Sequence, residues 1–96
     1  MATRIIEYSG LWQTWPIVPA HNKVASQTAL TATGTSAASS AFNDMTEMVC
    51  VQSDEAIKVA FGATPTATDN DYKIVAGGEQ FFLIQAGSSW KVAIKT

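Results

Sequence analysis

Charge is scarce in this chain: Asp, Glu, Lys and Arg make up 15 % of its 96 residues, where soluble domains usually carry about a quarter. Ala, Thr and Ser stand in place of the missing charge. Like-charge repulsion and strongly hydrated side chains keep proteins apart in solution, so a surface short of both favours contact with other protein. The formal charge of -2 argues against nucleic acid as a partner, because phosphate binding rests on clustered cations. The six basic residues, Arg4, Lys23, Lys58, Lys73, Lys91 and Lys95, are scattered.

Long apolar runs are missing too. The longest are a few residues, such as 81–84, so neither a membrane span nor a secretory signal is expected. Cys50 is the single cysteine, which excludes an internal disulfide and a cysteine-based zinc cluster. Its place in Met48-Val49-Cys50-Val51 reads as a buried, inert thiol. His21 is the single imidazole and reads as a solvated turn residue, with no nucleophile that its spacing ties to it.

Asp44, Glu47, Asp54 and Glu55 could supply paired carboxylates, but three of them sit in or next to turns, where solvated side chains are the ordinary case. Asp69-Asn70-Asp71 places three oxygen-bearing side chains in a row. Calcium loops instead use alternate positions with a central Gly and a closing Glu, so this is an Asx-type turn. Gly77-Gly78 leads into a strand rather than a helix and is not a phosphate loop. Neither cofactor nor metal is expected, and the chain is not expected to be an enzyme.

What is present is period-two alternation. Residues 56–62 place Ile57, Val59 and Phe61 on one face and Ala56, Lys58 and Ala60 on the other, the signature of a strand with one buried side. Further strands are expected at 2–8, 24–33, 45–52, 72–75, 79–86 and 90–95. A turn at 53–55 joins 45–52 to 56–62 as a hairpin, and loops fill 34–40 and 63–71. Residues 2–8 could alternatively be an arm that pairs with a neighbour.

Between Leu11 and Pro19 lie two prolines and two indoles, Trp12 and Trp15. That makes an extended segment but not a central strand. The two indoles would project to one side in polyproline geometry. They could plug the core, anchor a subunit contact or stack on a sugar ring. Tyr72, Phe81, Phe82 and Trp90 read as core and sheet-face residues.

The fold class is therefore all-β, a small β-sandwich or jelly-roll-like barrel with an extended N-terminal segment. Residues 1–18 form that segment and 19–96 a single domain. A domain of this size holds about 5–10 kcal/mol, so a homo-oligomer, a dimer or trimer, is plausible on burial grounds. The segment carries the candidate protein-interaction residues Arg4, Ile6, Tyr8, Leu11, Trp12, Trp15 and Ile17, apolar and aromatic side chains without an evident place in the hairpin core.

The run 57–68, Ile-Lys-Val-Ala-Phe-Gly-Ala-Thr-Pro-Thr-Ala-Thr, followed by Asp71-Tyr72, Ala76-Gly77, Glu79, Gly87 and Lys91-Val92-Ala93-Ile94, resembles small virion accessory proteins of tailed bacteriophages. The resemblance covers 56–94. It departs from that pattern at Gly87-Ser88-Ser89-Trp90-Lys91, which is one residue longer and lacks an Asp. It implies a β-sandwich decoration or cement protein on the capsid surface, assembled in the host bacterial cytoplasm and bound to the major capsid protein or another virion protein. A tail, collar or head-fibre component is the alternative within virions, and a carbohydrate-binding module using Trp12 and Trp15 is the alternative outside them. On the residues themselves, Gly62 is expected to let the strand leave the sheet through a left-handed or bulged backbone.

Overall fold

Alternating side chains build eight strands among residues 2–9 and 23–96, which the computed structural model describes. They are β1 (Thr3–Tyr8), β2 (Lys23–Ser26), β3 (Ala37–Ala38), β4 (Met48–Ser53), β5 (Ile57–Gly62), β6 (Tyr72–Ile74), β7 (Glu79–Leu83) and β8 (Lys91–Lys95). The first sheet has the order β2-β1-β4-β7 and the second the order β3-β8-β5-β6. Every strand pairing is antiparallel. The architecture is the expected all-β sandwich. The expected boundary at residues 18 and 19 lies outside the described residues, and Thr3–Tyr8 runs between β2 and β4 as an inner strand of the first sheet.

The two inner faces meet through Ile5, Val49 and Val51 from one sheet and Ile57, Val59, Val92 and Ile94 from the other, with Phe42, Ile74 and Ile84 completing the core. Each fully buried side chain of this kind contributes about 1.5–3 kcal/mol. Aromatic rings bridge the sheets. Phe61 on β5 and Phe82 on β7 have centroids 4.7 Å apart, Tyr72 meets Phe82 edge-on at 5.4 Å, and Phe42 lies 6.1 Å from Phe61.

The expected hairpin of 45–52 with 56–62 does not form. β4 pairs with β1 and β7, whereas β5 pairs with β6 and β8. The turn at 53–55 is a corner between sheets. Ser53 Oγ donates to the Glu55 carbonyl at 2.6 Å, while the Ser53 backbone bonds to the next crossover: its N–H donates to the Gly78 carbonyl at 3.1 Å and its carbonyl accepts from Gly77 N–H at 2.9 Å. A short polar turn between two half-apolar strands fits a hairpin and a corner equally well, and only the packing of both inner faces decides between them.

The pairs nest: β5 with β6, β4 with β7, β3 with β8, and β2 with β1. Jelly rolls wrap eight strands this way, except that the strand held here by β1 ordinarily follows β8. The chain thus has jelly-roll neighbours in a circularly permuted order. Both ends of the path meet one segment. Thr3 exchanges backbone bonds of 2.8 and 3.0 Å with Leu30, and Thr96 N–H donates to Thr33 at 2.8 Å.

Two glycines close the β6–β7 corner. Gly77 has φ 75°, and a Cβ on Gly78 would lie 2.9 Å from the Val75 carbonyl oxygen. Gly62 departs from expectation, since its φ is not positive and it pairs with Lys91 in regular register. A turn forms at 69–71, but its bonding is not the expected Asx type: Asp71 Oδ2 accepts from Thr68 N–H, three residues back, at 2.7 Å and from the Thr68 hydroxyl at 3.0 Å, while Asp69 faces Lys95.

Candidate interaction surface

Alternation along β1 sends Thr3, Ile5 and Glu7 inward, where all three are buried. Arg4, Ile6 and Tyr8 therefore point outward. Register aligns these three with side chains of β4 and β7: Ile6 with Cys50 and Phe81, Tyr8 with Met48 and Leu83, and Arg4 with Gln52 and Glu79. The outer face of the first sheet is a grid with two apolar rows and one polar row. Within it Met48 and Cys50 are buried, whereas Leu83 is 82 % and Phe81 40 % exposed.

Among the described strands, β7 is the last of its sheet. An edge strand offers unpaired backbone groups to another chain, and soluble proteins usually blunt such an edge with Lys, Pro or a bulge. β7, Glu-Gln-Phe-Phe-Leu, carries neither Lys nor Pro, and its pairing with β4 is continuous from Glu79 to Leu83.

Glu79 organises the polar row. Its Oε2 accepts from Gln52 Nε2 at 2.8 Å and from Cys50 Sγ at 3.8 Å. Burial, followed by the Glu79 charge, pushes the Cys50 thiol up to about 11, so it is a thiol at neutral pH. Burial also raises the Tyr8 phenol, with Cys50 and Glu79 adding to the effect. Beside them Arg4 pairs with Asp54 at 3.2 Å, both half-exposed, a geometry worth little in water. The backbone N–H of Ala2, then Arg4, hold the Asp54 carboxyl below its ordinary value. These residues line an open polar depression that Gly77 and Gly78 close on one side.

Of the expected interaction residues, the structure thus brings Arg4, Ile6 and Tyr8 together on one face. Leu11, Trp12, Trp15 and Ile17 lie outside the described residues, as does His21. Asp44 and Glu47 precede β4 while Asp54 and Glu55 follow it, so the six residues of the strand hold the two pairs about 20 Å apart. Among the described residues no cluster of His, Cys, Asp or Glu could hold a metal ion. Phe81 and Leu83 join the face from beyond the expected set. Their signal was their alternation with Phe82, which puts them opposite the core-packed ring.

No protein family, curated protein or solved structure matches this chain.

Proposed function

We propose that this chain is a structural virion protein that decorates or cements a capsid by binding between major capsid subunits, the role its sequence resemblance implies. The jelly-roll neighbour order is compatible with this but does not select it, since that architecture serves viral capsid domains and lectins alike. The supporting observation is the outward grid of Ile6, Tyr8, Met48, Cys50, Phe81 and Leu83, which ends on β7, the last of the described strands in its sheet. Its exposed members, Phe81 and Leu83, gain free energy when another surface covers them.

Burying the exposed parts of Leu83 and Phe81 contributes about 2–4 kcal/mol per copy before ordering costs. One contact of that size is weak. Repeated over a shell, it stiffens a lattice.

Mixing the purified protein with undecorated phage heads and imaging them by electron microscopy tests this reading. Regular added density is expected with the wild-type chain, and Leu83→Lys should weaken occupancy at least ~10-fold, the equivalent of ~1.4 kcal/mol. The melting temperature of that variant should stay near wild type, because a side chain so exposed contributes little to folding. Bare heads, or full occupancy by the lysine variant, would overturn the proposal.

A further inference from the structure

The lysines that look scattered in the sequence do not stay scattered. Lys58 on β5 stands directly opposite Lys95 on β8 and directly opposite Lys73 on β6. The residues flanking Lys58, Ile57 and Val59, are core, so all three lysines project from the outer face of the second sheet in one cross-strand row. Opposite Cβ atoms in such a row lie about 4.5–5.5 Å apart, and like charges placed there destabilise the sheet. Left without counter-charge, this arrangement costs folding.

Among the described residues a single carboxylate pairs with two of the three ammonium groups. Asp69 Oδ1 lies 2.6 Å from Lys95 Nζ and 3.8 Å from Lys58 Nζ. Its side chain is 76 % exposed, so it reaches the row from the solvent side, as an external carboxylate would. The two lysines, Lys95 foremost, hold the Asp69 carboxyl below its ordinary value. Lys73 is exposed and makes no ion pair with any described residue. The row therefore keeps an excess of positive charge on a chain whose formal charge is -2.

We propose that the row Lys95, Lys58 and Lys73 is a docking site for an Asp- or Glu-rich segment of a partner protein, with Asp69 as the resident carboxylate that the partner displaces or joins. Carboxylate is favoured over nucleic acid because three lysines neutralise few phosphates and the rest of an acidic chain repels a polyanion. The inference rests on the reading of this chain as an adhesive protein and extends it. The lysine row and the apolar grid lie on the outer faces of opposite sheets, so one copy can hold two neighbours at once.

The test uses the isolated full-length chain and no capsid, so its failure is distinct from failure of head binding. An octaglutamate peptide is titrated into the 15N-labelled protein at low salt and followed by NMR. Amide shifts are expected at Lys58, Lys73, Lys95 and 66–71. Lys73→Gln should weaken binding about 5-fold, and Asp69→Asn should tighten it by a similar factor by removing the competitor. Lys73→Gln should melt no lower than wild type, since it relieves like-charge repulsion. Shifts confined to other surfaces, indifference to Lys73→Gln, or weaker binding by Asp69→Asn would overturn the site. Equal or tighter binding of inorganic phosphate or single-stranded oligo-dT, run as parallel arms, would overturn the assignment to carboxylates.

Discussion

Thr46 donates its hydroxyl to the Glu7 carboxylate at 2.6 Å within the buried part of the sandwich. The same carboxylate accepts from Asn43 N–H at 2.7 Å and from Gln27 Nε2 at 3.0 Å, so one buried charge holds β1 to the connections on both sides of β3. A buried carboxylate is tolerable when its lone pairs are filled, and costly to its partners when it is removed. Glu7→Ala is expected to cost about 3 kcal/mol by stranding three donors. Thr46→Val is expected to cost about 1.5–3 kcal/mol through the loss of one charge-assisted bond. Urea unfolding midpoints of the two variants measure both.

Cys50 gives a pH dependence with a defined sign. Its proton is held more tightly in the folded chain, where the thiol titrates at about 11, than in the unfolded chain at about 9.0. The folded state therefore binds more protons through this window, and stability contributed by the thiol is intact below pH 9 and declines toward pH 11. Cys50→Ser should flatten that decline. Thiolate absorbance at 240 nm should rise near pH 11 in the native protein, and at lower pH in Glu79→Gln, where the neighbouring charge is gone.

Gly78 cannot be replaced without moving backbone. An added Cβ would meet the Val75 carbonyl oxygen at 2.9 Å and Val75 Cγ2 at 3.0 Å, within the corner that Ser53 anchors. Gly78→Ala should cost about 1–3 kcal/mol. Gly77→Ala should cost about 1 kcal/mol for its positive φ alone. Gly34→Ala, with open space around it and a φ outside the left-handed range, is the control and should leave the melting temperature within a few degrees of wild type.

Permutation makes a topological prediction. Thr3 pairs with Leu30 and Thr96 with Thr33, so a linker of about six to eight glycines, reaching some 20–25 Å, can join residue 96 to residue 2. A chain joined there and opened between residues 10 and 22 would run β2 through β8 and then β1. It should unfold cooperatively, with an NMR spectrum that matches wild type away from the new ends. A collapsed spectrum would show that β1 must lead the chain.

Much of the fold was legible because period-two alternation assigns a face. Ile57, Val59 and Phe61 against Lys58 and Ala60 declared a half-buried strand before any partner was known, and the Asp and Asn residues at 69–71 marked a turn, though not its bonding, in which Asp71 reaches back to Thr68. Partnership was not legible. The three-residue turn at 53–55 joins two strands whose apolar faces both seek the core, and it served as a corner where a hairpin was expected. Glu7 had no sequence signal of burial, because its three donors come from Gln27, Asn43 and Thr46, far along the chain.

The same division holds for the surfaces. Local alternation by itself determined that Arg4, Ile6 and Tyr8 share a face, and that Phe81 and Leu83 oppose Phe82. Only the tertiary structure decided that these five lie on one grid, and that Lys58, Lys73 and Lys95 form one row. The reason is that side-chain direction repeats every two residues along a strand, whereas cross-strand neighbours are chosen by closing two inner faces over a common core.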